Sequence, residues 1–455
     1  MRYGWILFGA VLFTCGCNPV EKALDYDWSV EGPVQERMVV VRANLTNPPL
    51  RFAAEETAAA LREKRHPVTI LGEGESGGYS GNTQITIQVD PSSGLRPEGY
   101  QLVLSEGRRG NPQFVVTGPD AAGAMYGGLY LAEAIRIEPD LSTIQPVREE
   151  PYLARRGLKI SIPSAGGSPG PAWGGDSSIK NAAEMSRFDF WPELLDTMTR
   201  YRYNVLVLRT DEGLAGTATA FRKNTDLWRK MTDYAKGRCI RVYLLSSGAV
   251  GFDGDREQTL RDSLEQLMPT FPDLAGVEVA AGEEEGRVGR IARAGREGAV
   301  DLAFRYSRGR LYASPAPPFY AGLDGFRSSD GAQWWWDLDN NDILVHRWGD
   351  PDYVRQYLLG LPGDVTAGYF IGQDGYVLGR EFLDIEQPRT RPLEIAKHWY
   401  CFMLWGRLGY NPNLDRAFFE KVLSARFPTA QPALLYEAWQ ASSKIIPLVN
   451  RCLLY

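Results

Sequence analysis

From Arg155 onward the chain alternates apolar, strand-like runs with amphipathic helical ones, and this alternation constrains the fold more than any other feature. "RRGLKISI" leads to "FWPELLDTMTRYRY", then "NVLVLRT", "DLWRKMTDYAKG", "IRVYLLSS", "QTLRDSLEQLMPTF" and "GVEVAAGE". Later come "VDLAFRYS", "DILVHRWGD", "AGYFIGQDG" and the helix "PLEIAKHWYCFMLWGRLG". Such alternation implies parallel β/α units, because neighbouring parallel strands need a crossover that a helix fills. This many units predict a TIM-type (β/α) barrel over 151–410. Strands are expected near 157–162, 204–209, 240–245, 276–281, 300–306, 343–347 and 367–372, seven in all. The stretch between Glu285 and Val300 is too short for a further helix–strand–helix insert, so one unit is expected to be missing or reduced. An open doubly wound sheet is the competing architecture. It usually carries a glycine-rich phosphate fingerprint after its first strand. Here "SIPSAGGSPGPAWGG" follows that strand without the required glycine spacing and with three prolines, so it reads as a long loop.

Ahead of the alternation, residues 36–147 have a different pattern. "MVVVRA" reads as a strand and "RFAAEETAAALREK" as an amphipathic helix. "TQITIQVD", "GYQLVLSE" and "PQFVVTGP" are strands separated by turn residues, and "AAGAMYGGLYLAEAIR" is a closing helix. This predicts a small α+β domain. The tail, 411–455, reads as helical.

The first residues form a separate object. Arg2 precedes an apolar run from Gly4 to Phe13, too short to span a bilayer, and "TCGC" follows at Thr14–Cys17. Residues 1–17 therefore read as a secretory signal, and the small residues ending in Cys17 resemble a bacterial lipoprotein processing site. Lipidation of Cys17 would anchor the protein to a membrane of the cell envelope, with polar residues 18–35 as a tether. Thr14 stands where such sites usually have leucine, and a plain signal peptide is the alternative. The net charge of −6 and the lack of a basic cluster argue against nucleic-acid partners. Cys239, Cys401 and Cys452, widely spaced, make no zinc pattern and no disulfide framework. Cys239 and Cys401 sit in apolar surroundings and are expected to be small core residues. No metal or cofactor is expected.

In a barrel of this type, active sites form at the C-terminal ends of the strands. Those ends supply Lys159 and Ser161, then Arg209, Asp211 and Glu212, then Ser246 and Ser247. "GVEVAAGEEEG" ends the fourth strand in Glu283, Glu284 and Glu285. This run is either a solvated loop or the seat of a catalytic acid. Later ends bring Arg305 and Tyr306, then His346, Arg347, Trp348 and Asp350, then Gln373 and Asp374, with Glu381 close behind; Tyr312 is a further binding candidate. Such a mouth is rich in carboxylates and aromatics. With three histidines in the chain, a Ser-His-Asp hydrolase or a histidine-based zinc enzyme is disfavoured. Two carboxylates suit glycoside hydrolysis, one protonated to donate to the leaving oxygen and one ionised to activate water or attack the anomeric carbon. "WWW" at Trp334–Trp336 offers sugar-stacking faces, or simply packing. In "RWGDP", Asp350 is expected to cap a helix that has Pro351 in its first turn. His398, in an aromatic helix, reads as core.

"EGYQLVLSE…QFVVTGPDAAGAMYGGLYLAEAIR" resembles the domain that precedes the barrel in α-glucuronidases and β-hexosaminidases. "RRGLKISIP", "FWPELLDTMTRYRYNVLVL", "ILVHRWGDPDYVRQYL", "GYFIGQDGYVLGREF" and "LEIAKHWYCFMLWGRLGYNP" resemble bacterial secreted proteins grouped with the α-glucuronidase family. The resemblance implies inverting removal of glucuronic acid from acidic, xylan-derived oligosaccharides. It implies Glu283 as general acid, with Asp374 as the nearest candidate base and Glu381 beside it. Arg347 or Arg305 would then grip the uronate carboxylate as a forked pair. A non-catalytic surface glycan-binding protein that kept the barrel shape is the reading from another class. A β-hexosaminidase-like activity is a third option, though no Asp-Glu pair ends the fourth strand.

Overall fold

A computed structural model describes residues 38–75, 83–106, 112–163, 175–210, 221–246, 269–281, 300–305, 334–339, 349–361, 366–372, 378–382 and 391–445, with the isolated positions 265, 267, 363 and 448. Two sheets organise them. The first has six strands, β1 (Val39–Ala43), β2 (Val68–Gly72), β3 (Thr83–Val89), β4 (Tyr100–Glu106), β5 (Pro112–Gly118) and β6 (Val147–Glu149), in the order β2-β1-β3-β5-β4-β6. β4 runs antiparallel to both of its neighbours, and the remaining pairs are parallel. Helices α1 (Pro48–Glu63) and α2 (Ala121–Ile137) pack on each other and on this sheet. Asp120 starts α2 by accepting from the Gly123 N–H at 2.7 Å. Ile85, Ile87, Phe114 and Val116 meet Phe52, Ala53, Met125 and Leu129 in a dry core.

The second sheet is a closed barrel. Its strands are β7 (Arg155–Ile162), β8 (Val205–Thr210), β9 (Arg241–Ser246), β10 (Leu274–Ala281), β11 (Val300–Arg305), β12 (Trp334–Asp339) and β13 (Thr366–Gly372). Each is parallel to the next, and β13 pairs with β7 to close the ring. Six of the seven lie where the strand pattern puts them. The exception is β12, which is built from "WWWDLD" at 334–339; the expected strand at 343–347 lies outside the described residues. The ring closes through β11–β12 and β12–β13 pairing, so Trp334–Asp339 takes the place in the ring expected for 343–347.

Side chains alternate between the two faces of a strand, and here both faces are buried. Leu158, Ile160, Leu206, Leu208, Trp336, Leu338, Tyr369 and Ile371 join the shell between strands and helices. Helices α3 (Gly175–Met185), α4 (Phe190–Arg200), α5 (Thr225–Lys236) and α6 (Pro351–Leu359) follow β7, β8 and β12 in the chain. α4 and α5 give that shell Trp191, Leu194, Met198, Trp228 and Met231. Val205, Val207, Tyr243, Trp335, Ala367 and Phe370 form a second, separate cluster, on the opposite face of the same strands. The barrel interior is thus a filled core. As the sequence predicts, Asp350 caps α6, its Oδ1 accepting from the Tyr353 N–H at 3.2 Å, with Pro351 in the first turn.

The C-terminal region is helical: α7 (Glu394–Lys397), α8 (Trp399–Tyr410), α9 (Arg416–Arg426) and α10 (Pro432–Ser442). Tyr410, the last residue of α8, is buried in the core of the first domain and donates from its hydroxyl to the Glu98 carbonyl at 2.7 Å. Glu98 accepts from Arg156 at 2.8 Å and from Asn204 at 2.8 Å. Arg156 lies near the start of β7 and Asn204 just before β8, so the first domain grips the strand N-termini and leaves their C-terminal ends uncovered by this contact. Cys401 is buried as expected. Cys239 is half-buried in a turn with a left-handed φ of 55°, and it packs against the edge of the first-domain core.

Candidate active site

The strands end on the side away from the Glu98 joint, at Ile162, Thr210, Ser246, Ala281, Arg305, Asp339 and Gly372. Five of the residues singled out from the sequence lie on these ends, Ser161, Ser246 and three cationic ones. Lys159 is 1% exposed, on the face of β7 opposite to Leu158 and Ile160. In register it stands between Val207 of β8 and Gly372 of β13. Its Nζ is 5.9 Å from the centre of the Phe370 ring, which belongs to the barrel interior. Arg209 pairs in register with Ser161, one layer nearer the mouth than Lys159, and is half-buried. Arg305 ends β11 and pairs in register with Asp337 of β12.

Two cationic side chains therefore occupy the upper part of the β7–β8 pair, one of them inside the barrel. Room for the first is made by its neighbour. A Cβ at Gly372 would stand 2.7 Å from Lys159 Cε and closer still to Lys159 Cβ, so only glycine lets the lysine stem cross this strand. A buried ammonium is costly unless anionic or polar oxygens surround it, which makes this an electrostatically demanding position in the barrel.

Glu381 occupies different ground. It is 2% exposed, and its carboxylate accepts from Lys397 Nζ of α7. Its N–H donates to the Pro392 carbonyl at 3.0 Å, and Arg391 Nη1 donates to its carbonyl at 3.1 Å. The Glu394 N–H closes the same clasp on the Gly379 carbonyl at 2.8 Å. Glu283, Asp374, Arg347, Trp348, Tyr312 and Cys17 lie outside the described residues.

The tryptophan run is structural where it is described. Trp335 is fully buried in the barrel, 5.2 Å from the Tyr243 ring and with Arg155 stacked at 4.4 Å. Trp336 faces the helices and donates to Thr366 Oγ1 at 2.9 Å. Neither offers a face to a sugar at the mouth. The strand assignment brings forward two residues that sequence reasoning passed over, Asp337 and Asp339 at the C-terminal end of β12. Their signal was the two-residue spacing of Asp337 and Asp339, which a strand puts on one face, in a run too short to mark the strand by itself. Among the described residues no cluster of His, Cys, Asp and Glu has the makings of a metal site.

No protein-family model matches the chain, and no curated protein matches it in sequence. Among solved structures, a GH138 enzyme targeting pectin rhamnogalacturonan II is similar, with a TM-score of 0.68 over 90% of this chain at 16% identity. The chain spans 56% of that enzyme's length. At this identity the likeness is one of fold: a mixed α/β architecture of parallel strands with a helical C-terminal region, as found in a glycoside hydrolase.

Proposed function

We propose that this chain is a glycoside hydrolase-like protein that acts on uronic-acid-bearing oligosaccharides, as α-glucuronidases do, from the C-terminal end of a TIM-type barrel reduced to seven strands. The observation that carries the reading is Lys159, a cation held inside the barrel below the strand ends, with Arg209 one layer above it. Such a pair suits a substrate carboxylate. The fold likeness to an enzyme that targets pectin rhamnogalacturonan II supports a carbohydrate substrate. In this reading Glu283 donates the proton to the leaving oxygen and Asp374 activates water. An inverting pair of this kind stands about 6.5–9.5 Å apart. Arg347, Arg305, Trp348 and Tyr312 complete the substrate contacts. Export, with Cys17 lipidated at the cell envelope, belongs to the same proposal.

The test is to incubate the purified protein with uronic-acid-capped xylan and pectin oligosaccharides and with their neutral counterparts. Release of uronic acid with inverted anomeric configuration, followed by chromatography and NMR, is the expected result. Lys159→Met should lower the rate on acidic substrates by about tenfold or more, since a buried charged contact is lost. Saturable binding with no turnover on any substrate would replace the hydrolase reading with a glycan-binding one. Equal handling of acidic and neutral sugars would remove the role given to Lys159.

A further inference from the structure

The strand register sets out which residues share a layer of the barrel with the buried Lys159. On one side the layer continues through Val207 of β8, Tyr243 of β9 and Gly276 of β10, none of which carries a negative charge. On the other side it continues through Gly372 of β13 to Asp339 of β12. Asp339 is the one carboxylate residue of this layer among the described residues. Successive residues of a strand alternate between its faces. Trp335 belongs to the barrel interior, whereas Trp336 and Leu338 belong to the outer shell, so positions 337 and 339 fall on the inner face with Trp335.

Gly372 decides what can meet across β13. A Cβ there would stand 2.7 Å from Lys159 Cε, so the lysine stem already runs over β13, toward β12. Neighbouring strands lie about 4.8 Å apart, which sets β7 and β12 about 10 Å apart at this layer. A long lysine stem from one side and a short carboxylate from the other can close that gap if nothing projects between them. Glycine at residue 372 meets the condition. One layer lower, the corresponding line from Gly157 to Asp337 is crossed by Phe370, which is fully buried in the barrel interior. One layer higher, Arg209 of β8 stands in register with Ser161 and adds a second positive charge. Two neighbouring cations, one of them buried, call for a counter-charge, because a paired ion in a low dielectric is far less costly than a lone one.

We propose that Asp339 is the counter-ion of Lys159 and its positioning residue, the two paired across the gap that Gly372 leaves. One of the three ammonium donors then serves Asp339, and the others stay available to a substrate oxygen. The consequence for binding rests on the uronate reading of Lys159; the pairing itself does not.

The experiment is a double-mutant cycle on the full-length protein, read by thermal unfolding and by calorimetric titration with glucuronate. Asp339→Asn strands the ammonium and should lower the melting temperature by several degrees. Asp339→Asn combined with Lys159→Met removes both charges and should melt above the Asp339→Asn variant. If Asp339→Asn does not fold at all, a folded double variant carries the same meaning. Asp337→Asn, one layer lower, should show no such recovery, and recovery there instead would move the role to Asp337 and overturn the assignment. Glucuronate binding should weaken at least severalfold in Asp339→Asn. The same substitution made in the Lys159→Met protein should weaken it no further, because Asp339 acts through Lys159. Additive losses in the cycle, or an Asp339→Asn variant that melts with the parent, would overturn the pairing. Affinity unchanged or raised in Asp339→Asn would overturn the positioning role. A parent that binds no glucuronate, with the cycle still coupled, would overturn the uronate reading and reduce the pair to a structural one.

Discussion

Lys159 lies across Gly372: the two are partners in the β7–β13 register, and the lysine stem fills the space that a side chain at residue 372 would need. The clash would fall on Lys159 Cβ and Cγ as well as on Cε, and the first two are too close to the backbone to swing away. Gly372→Ala should therefore force the two strands apart or drive Lys159 out of the barrel. Overpacking of this kind costs about 1–3 kcal/mol. Urea unfolding should show that loss, together with weaker binding of acidic oligosaccharides. A variant as stable as the parent, with unchanged affinity, would mean that Lys159 does not need this position.

Glu98 ties the first domain to the barrel. Its carboxylate serves Arg156, whose side chain is 0% exposed, and Asn204. Removing one partner of such a pair leaves a buried charge without its counterion, at about 3–5 kcal/mol. Glu98 keeps 17% of its own side-chain surface, which puts Glu98→Ala near the lower end, about 3 kcal/mol. Glu98→Gln keeps one acceptor and should cost less. Chemical denaturation measures both. A loss below about 0.5 kcal/mol for the alanine variant would show the joint to be held by Tyr410 and its apolar neighbours alone.

The barrel was legible because its strands are short apolar runs between amphipathic helices, and β7 to β11 and β13 stand within a few residues of their expected places. β12 was not. "WWWDLD" and "DILVHRW" are both short and apolar, and strands buried on both faces lack the clean alternation that would choose between them. Only the pairing of Trp335 with Ala303 on one side and Gly368 on the other decides it. The charged residues divide in the same way. Lys159 could be named because a barrel makes strand ends informative. Arg202 could not, because "RYRYN" reads as a polar helix end, and it is the packing of Tyr126 and α8 that buries it. No local signal marks a buried arginine.

His398 gives the fold a pH dependence with a definite sign. It lies between α7 and α8, half-buried, 3.6 Å from Glu394. Burial, and then the Lys397 ammonium, lower its pKa from 6.5, against an upward pull from Glu381. As pH falls below about 6.5 the unfolded chain takes up its proton first, so the unfolded state binds more protons and stability declines. The contribution is complete above the unfolded value and is lost as pH falls toward the lowered folded one. His398→Gln should flatten this part of the profile. Melting temperatures of parent and variant at about pH 7.5 and about pH 5 provide the check. Equal acid-side losses in the two would assign the slope to carboxylates instead.

Glu381 is where the proposed catalytic set can be tested for a carboxylate that positions the chain and does not react. The sequence brings Glu283, Asp374 and Glu381 into one list, but the Glu381 carboxylate is spent on Lys397, inside a clasp that fixes the chain between β13 and α7. A general acid or base needs a proton it can exchange with substrate within about 3 Å, and a carboxylate held by an ammonium on the helix side is poorly placed for that. Glu381→Gln should lower stability by about 1–3 kcal/mol, the cost of unmatching a buried charged hydrogen bond, less whatever water recovers at the partly exposed Lys397. Both limbs of the pH–rate profile should survive. Glu283→Gln should do the reverse, lowering turnover by about 10²–10⁴-fold with stability unchanged. The double variant Glu381→Gln with Lys397→Met should recover part of the stability, because it removes the stranded ammonium too. If Glu381→Gln instead abolished one limb of the profile in a fully stable protein, Glu381 would be the base and Asp374 would lose that role.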